Sequence, residues 1–114
     1  MHELSLSLNI LDLVERSVDK GKVRQVCEVR IEVGLLSGVD AGNLEEMLKM
    51  VAATTEYADV RWVMTQKDAS GFCEKCCLPF PMTYLWDVCP RCGQRAGKIT
   101  EGDDVEVASI IVLE

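Results

Sequence analysis

Four cysteines in two Cys-x-x-Cys pairs constrain this chain more than any other feature of its sequence. The first pair is Cys73 and Cys76, and the second is Cys89 and Cys92. Two residues between cysteines let both sulfurs of a tight turn point the same way, and a hairpin between the pairs brings four thiolates around one ion. Zn(II) suits this set because it favours thiolates at tetrahedral geometry, and four protein ligands leave no position for water. We therefore predict a structural zinc site and not a catalytic one.

Alternatives to zinc follow from the same residues. Disulfides or unrelated core cysteines would also account for them, although nothing else in the sequence indicates an oxidising compartment. Iron in a rubredoxin-like site uses the same spacing, and tetrahedral four-sulfur sites hold either metal. Cys77 adds a thiol next to Cys76, so either residue is a candidate ligand. The basic residues placed to offset the charge of a four-thiolate site are Lys75, Arg91, Arg95 and Lys98.

The acidic composition of the chain argues against some classes of partner. Its 114 residues include 19 acidic and 12 basic side chains, a formal net charge of −7, whereas proteins bind phosphate backbones through Lys and Arg. No apolar run is long enough to span a bilayer, and Glu3 and Asp12 stand where a signal peptide would be basic and then apolar. We expect one principal cytoplasmic domain that binds neither nucleic acid nor membrane, with its thiols kept reduced.

His2 is the only histidine in the chain and a candidate ligand for a second metal. The terminal amine of Met1, the amide nitrogen of His2 and its imidazole can close fused chelate rings. Ni(II) and Cu(II) favour such planar nitrogen sets, whereas zinc gains nothing from planarity. The alternative is a frayed terminus with a solvated imidazole, since termini are usually disordered unless they are tied down.

Apolar periodicity predicts a helix and then a strand in the first third of the chain. The helix begins near Leu4 and ends near Lys20-Gly21, where glycine is a suitable stop. The strand runs from about Val23 to Val33, with alternate residues buried. Cys27 falls on the buried side of this alternation, as a small core residue.

A second helix is predicted after a turn rich in glycine and serine, from Gly34 to Val39. Asp40 is well placed to cap the helix N-terminus through its carboxylate. The apolar residues that recur at helical spacing behind it are Leu44, Met47, Leu48 and Val51.

Two further strands complete the predicted fold. One runs from Val60 to Gln66 with Val60, Trp62 and Met64 inward, and the other from Val105 to Leu113. We predict an α+β fold, a small three-stranded antiparallel sheet with two helices on one face, plus an inserted zinc-ribbon module with four cysteine ligands.

The predicted boundaries give residues 1–67 to the α+β domain, which a strand within 101–114 completes, and residues 68–100 to the zinc module. Phe80, Tyr84 and Trp86 are expected to cover the metal. Because the insertion parts the last strand from its sheet, exchange of that strand between protomers would give a homodimer.

Five segments spread along nearly the whole chain carry a resemblance to a known family. They are Met1–Leu6 (Met-His-Glu-Leu-Ser-Leu), Gly34–Asp40 (Gly-Leu-Leu-Ser-Gly-Val-Asp), the two cysteine pairs with Pro90 and Gly93, and Gly102–Ile110. In this order they resemble the HypA/HybF family of hydrogenase nickel-insertion accessory proteins.

The resemblance implies a metallochaperone that binds Ni(II) transiently and delivers it to the large-subunit precursor of a [NiFe]-hydrogenase, together with a GTPase partner. It implies His2 as the essential nickel ligand, with backbone nitrogens of Met1, His2 and Glu3 completing a plane and with Glu3 and Asp40 as acidic residues close to the metal. The zinc ligands that it implies are Cys73, Cys76, Cys89 and Cys92.

Competing functions come from other classes of protein. One is a rubredoxin-like iron module for electron transfer, and another is a zinc-ribbon adaptor that binds protein or nucleic acid without nickel. An enzyme is disfavoured, because a single histidine at the terminus leaves no acid–base constellation to propose.

Overall fold

The structure, a computed structural model, describes residues 3–19, 21 and 25–113 of the chain. Its helices and strands in chain order are α1 (Glu3–Ser17), β1 (Val26–Gly34), α2 (Ala41–Ala52), β2 (Arg61–Lys67), β3 (Ala69–Cys73), β4 (Leu78–Met82), β5 (Lys98–Glu101) and β6 (Val105–Val112). Within the described residues, neither helix combines the length and the apolar character that crossing a membrane requires.

The first helix, α1, is amphipathic and packs one face against the core. Ser7, Ile10 and Val14 are buried, and their spacing of three and four residues places them on the same side of the helix. The helix ends at Ser17, whose hydroxyl donates to a carbonyl one turn earlier at 2.7 Å. This end is three residues before the predicted stop near Lys20-Gly21.

The second helix, α2, begins where the sequence predicted. Asp40 has extended backbone angles, and its Oδ1 accepts a hydrogen bond from the backbone N–H of Asn43 at 3.0 Å, which is the geometry of an N-cap. Leu44 and Leu48 are fully buried on the inner face. The prediction of Asp40 as the N-cap is therefore confirmed.

The strand β1 lies at the centre of the first sheet, whose strand order is β2-β1-β6. The α+β class with two helices and an inserted cysteine module is confirmed, and β6 runs antiparallel to β1 as expected. The prediction that all three strands are antiparallel is wrong for β1 and β2, which pair in parallel. The helix α2 connects these two strands, and such a crossover returns the chain to the same end of the sheet.

Both helices pack on the same side of this sheet. Ile10 of α1 and Leu48 of α2 share a core with Val29 and Ile31 of β1 and with Trp62 of β2. The inward positions predicted for the strands therefore hold at the centre of the sheet.

Cys27 lies outside this core, contrary to the prediction. The pairing of β1 with β6 is irregular between Val26 and Glu28, and a bulge of this kind shifts which residues face inward. Val26 is buried and Cys27 is exposed. The Cys27 thiol instead donates to the carbonyl of Ile111 at 3.3 Å.

The second sheet is antiparallel, has the order β4-β3-β5, and belongs to the cysteine module. Three backbone hydrogen bonds of 2.8 to 2.9 Å form where the chain passes between the two sheets. Gly34 and Leu36 donate to Asp104 and Gly102 in the turn between β5 and β6, and Leu35 donates to Lys67 at the end of β2. The approach is so close that a Cβ added at Gly34 would lie 2.4 Å from a backbone oxygen. Glycine is thus required where β1 meets the turn between β5 and β6.

Candidate metal centres

The first cysteine pair lies in the turn between β3 and β4. Cys73 ends β3, and its Sγ accepts a hydrogen bond from the backbone N–H of Cys76 at 3.4 Å. Cys77, the next residue, has a φ of +55°. Glycine is favoured at such angles, and here they turn the Cys77 side chain outward, where its thiol donates to the carbonyl of Glu74.

The second pair lies in a turn closed by two short backbone hydrogen bonds. The N–H of Cys89 donates to the carbonyl of Gln94, and the N–H of Gly93 donates to the carbonyl of Cys89, both at 2.8 Å. Gly93 has a φ of +76°, which glycine adopts without strain. The turn therefore points Cys89 and Cys92 back toward the first pair.

The four sulfurs of these pairs converge. The Sγ atoms of Cys73, Cys76, Cys89 and Cys92 all lie within 4.8 Å of one another. Cys73 and Cys92 are 3.5 Å apart and Cys76 and Cys89 are 4.0 Å apart. Sulfurs placed about 2.3 Å from a central zinc in a tetrahedron are about 3.8 Å apart, whereas a disulfide needs about 2 Å. The donor set and its spacing fit a tetrahedral metal ion, and Cys77 is not part of it.

Hydrogen bonds within the cluster shift the pKa values of two cysteine thiols in opposite directions. A hydrogen bond with Cys92, together with burial, raises the pKa of Cys76 to about 12. Burial also disfavours the thiolate of Cys89, but the backbone amides of Arg91 and Cys92 donate to it and lower the pKa of Cys89 to about 6. The chain alone thus favours the thiolate form of Cys89 and disfavours that of Cys76, since like charges repel. A divalent cation would remove this repulsion and release the remaining protons.

The aromatic residues around the sulfur cluster are not all placed as the sequence predicted. Phe80 is buried in a small second core with Cys73 and Cys89. Tyr84 and Trp86, predicted to cover the metal, are instead exposed and stack on each other, with ring centroids 4.8 Å apart. The physical reason is that the turn carrying them closes on itself before the chain returns to the cluster.

Sequence reasoning missed two residues that pack against this second core, Leu35 and Leu36. They come from the segment after β1, which the sequence analysis treated as a turn rich in glycine and serine. The available signal was the apolar pair itself, because adjacent leucines are unusual in an exposed turn. They connect the cysteine module to the segment that leads to Asp40.

The predicted nickel site falls only partly on the described residues. Met1 and His2 lie outside them, Glu3 is in the first turn of α1, and Asp40 is exposed at the start of α2. Leu6 near the start of α1 and Ala41 near the start of α2 pack against the same core. The role of these four candidate residues in binding nickel stays a prediction.

Comparisons with known proteins agree over the length of the chain. A family model described as hydrogenase/urease nickel incorporation, metallochaperone, HypA matches residues 1–112. Hydrogenase maturation factor HypA of Parabacteroides distasonis is 35% identical over 112 residues, 98% of this chain and 97% of that protein. The same factor of Psychromonas ingrahamii is 30% identical, with 98% of each chain covered. The solution structure of the Ni metallochaperone HypA from Helicobacter pylori has the same fold, with a TM-score of 0.76 at 21% identity over 99% of this chain and 98% of that one.

Proposed function

The chain belongs to the HypA family of nickel-incorporation metallochaperones, and on this basis we propose that it binds Ni(II) at its N-terminus and delivers the ion to the large-subunit precursor of a [NiFe]-hydrogenase. The observation that carries the proposal is the family match over residues 1–112. A metallochaperone carries an ion without transforming a substrate, so the chain is not an enzyme.

Nitrogens of the first three residues form the nickel site that we propose. The amine of Met1, the amide and imidazole of His2 and the amide of Glu3 supply the planar set that Ni(II) favours. Glu3 begins α1, and the first N–H groups of a helix have no intrahelical acceptor. A ligand role for the Glu3 amide therefore costs α1 no hydrogen bond. Acid weakens such a site because protons compete for the imidazole.

Asp40 serves the nickel site without losing its capping role. Its Oδ1 accepts from Asn43, and because a carboxylate has two oxygens, Oδ2 can face the metal or its water. The shared core beneath Leu6 and Ala41 supports placing the beginnings of the two helices together.

Zinc in the cysteine cluster is a structural ion in this assignment. Among the described residues, five form the buried part of the second core, namely Ala69, Cys73, Phe80, Met82 and Cys89. A core this small gains much of its stability from a metal that only the folded chain binds well. Residues 68–100 are then a zinc module and residues 1–67, completed by 101–114, the nickel-binding domain.

The partners that we propose follow from the delivery of nickel to a recipient protein. The nickel passes to the large-subunit precursor, and a GTPase takes part in the transfer. A chelate at a chain terminus suits transfer because its ligands can be replaced one at a time by those of the recipient. The homodimer expected from exchange of β6 stays a prediction.

Metal analysis of the untagged protein tests the two-site assignment. The protein as purified is expected to be colourless and to contain about one zinc per chain, and added nickel should bind without displacing that zinc. A red protein containing iron would contradict the zinc assignment, and loss of zinc in proportion to bound nickel would contradict the presence of two sites.

A further inference from the structure

The strand β6 is an edge of the first sheet. In the order β2-β1-β6 it has β1 on one side, and within the described residues no strand pairs with its other side. Natural proteins usually protect such edges with proline, lysine or a very short strand. β6 is eight residues long, its sequence contains neither proline nor lysine, and its pairing with β1 is regular over residues 105–107. This part of β6 therefore offers its outer edge to another chain.

The pairing with β1 shows which backbone groups of β6 point outward. The N–H of Gly34 donates to the carbonyl of Asp104 at 2.9 Å, and the next pair in the ladder is Val33 with Val105. Hydrogen-bonded and non-hydrogen-bonded pairs alternate in an antiparallel ladder, so the backbone groups of Val105 and Val107 point away from β1. The N–H of Val105 accordingly donates to Asp104 Oδ1 at 2.8 Å. The N–H of Val107 and the carbonyls of both valines face outward.

An apolar groove runs along this edge, between α1 and β6. It is lined by Leu6, Asn9, Ile10, Leu13, Val105, Glu106 and Val107. Successive strand residues point to opposite faces of a sheet, so a groove lined by all of residues 105–107 reaches the edge of the strand and not only its inner face. Leu13 is 43% exposed in this groove. A strand added to the edge would thus place alternate side chains against apolar groups.

Acidic side chains gather where this edge begins. A small cleft there is lined by five carboxylates and one described cation, namely Glu32, Glu101, Asp103, Asp104, Glu106 and Lys67. The ion pairs found among the described residues involve none of these six side chains. Glu106 lines both the cleft and the groove. A partner that follows the groove toward this end therefore gains from carrying positive charge.

A second copy of this chain matches the edge poorly. Residues 105–112 include Glu106 and no basic side chain, so two paired β6 edges would leave the carboxylates without opposite charge. Each chain also has a net charge of −7, and like charges oppose association. The outward backbone groups recur at the spacing of a strand, which fits an extended polypeptide.

We propose that β6 binds an extended segment of a partner protein by strand addition. The segment carries apolar side chains that enter the groove and basic side chains that lie at the acidic end. Backbone hydrogen bonds give affinity in this kind of recognition, and the side chains give specificity. The inference goes beyond nickel delivery and does not depend on the N-terminal nickel site.

Binding of a synthetic peptide to the zinc-loaded full chain tests this edge. The peptide alternates valine with threonine and ends in two lysines and an amide, which lie beside Glu106 when it pairs antiparallel to β6. N-methyl groups on alternate residues leave it one edge that can pair, so that it does not aggregate. We expect fluorescence polarisation to detect binding that weakens as salt is raised. Replacing its lysines with glutamates should weaken binding about tenfold or more.

Three variants locate the bound peptide. Val107→Pro removes the outward N–H at a position where an edge strand tolerates proline, and it should abolish binding. Leu13→Gln removes apolar lining from the groove and should weaken binding about fivefold. Leu8→Gln is the matched control, because Leu8 is 50% exposed on the same helix but does not line the groove. Leu13→Gln keeps the test decisive if proline disturbs the strand.

Four results would overturn strand addition at β6. They are absence of binding by the unmodified chain, equal binding by the Leu13→Gln and Leu8→Gln variants, and unchanged binding of a peptide that is N-methylated at every residue. The fourth is a dimer of the unmodified chain that Val107→Pro dissociates, because a second copy would then occupy the edge. Nickel titration of the same proteins tests the proposed function separately.

Discussion

Cys76 and Cys77 are adjacent residues with the same side chain, yet only one of them faces the sulfur cluster. The backbone conformation determines which of the two thiols points toward the cluster. The N–H of Cys76 donates to Cys73 Sγ, whereas the positive φ of Cys77 turns its thiol toward the carbonyl of Glu74. Spacing alone left both residues as candidates, because it does not fix the direction of a side chain.

Substitution of these two cysteines should therefore have opposite outcomes. Cys76→Ala removes a ligand and should release zinc to a chelator, since three thiolates bind less tightly than four. Cys77→Ala, the matched control, should keep zinc and the stability of the protein. Zinc content after dialysis against a chelator is the measurement, and loss of zinc from Cys77→Ala alone would show that the wrong thiol has been assigned.

The capping role of Asp40 and the nickel role that we propose for it can be tested separately. Asn caps helices about as well as Asp, so Asp40→Asn should leave the free energy of unfolding nearly unchanged but weaken nickel binding. Asp40→Ala should weaken nickel binding and also cost about 1 kcal/mol of stability. Urea unfolding and nickel titration of both variants provide the comparison. If Asp40→Asn binds nickel with unchanged affinity, the residue is a cap only.

At the scale of elements, the segment from β1 to α2 connects the first sheet to the second core. Gly34 ends β1 against the backbone of Gly102 and Asp104, Leu35 and Leu36 pack on the second core, and Asp40 begins α2. One short stretch thus contacts both sheets and ends at a candidate nickel ligand.

Gly34→Ala tests how tight this junction is. The added Cβ meets backbone atoms that cannot swing away, so we expect a loss of about 2 kcal/mol in unfolding free energy, within the usual range for overpacking. Gly21→Ala is the control, because a Cβ there has no neighbour within 4 Å. Equal stability of the two variants in urea would contradict the close approach of β1 to the turn between β5 and β6.

The sequence predicted the elements better than their arrangement. Helical spacing and the cap at Asp40 located α2, because those signals depend on near neighbours in the chain. The parallel pairing of β1 with β2 and the bulge that exposes Cys27 depend on contacts between distant segments. Local periodicity carries no information about such contacts.

At the scale of the whole molecule, the described residues form two hydrophobic cores. We assign a different metal chemistry to the part that contains each core. We propose zinc at the four sulfur ligands of the cysteine module and nickel at nitrogen ligands of the first three residues. The molecule extends 54 Å along its longest axis and 17 Å along its shortest.

Removal of zinc by a chelator should affect the two cores unequally. Backbone amides of β3 and β4 should lose protection from hydrogen exchange, because their core contains the ligands. Amides of β1 and α2 should stay protected, since their core consists of aliphatic and aromatic side chains. Simultaneous loss of protection in both cores would contradict the division into two modules.

The most direct test of the account is a nickel titration by calorimetry of untagged protein that begins at Met1. Two variants accompany it, His2→Ala and a chain with two residues added before Met1. We predict that the unmodified chain binds about one Ni(II), that neither variant binds at that site, and that all three retain zinc and fold alike. Equal nickel binding by all three proteins would contradict the N-terminal nickel site.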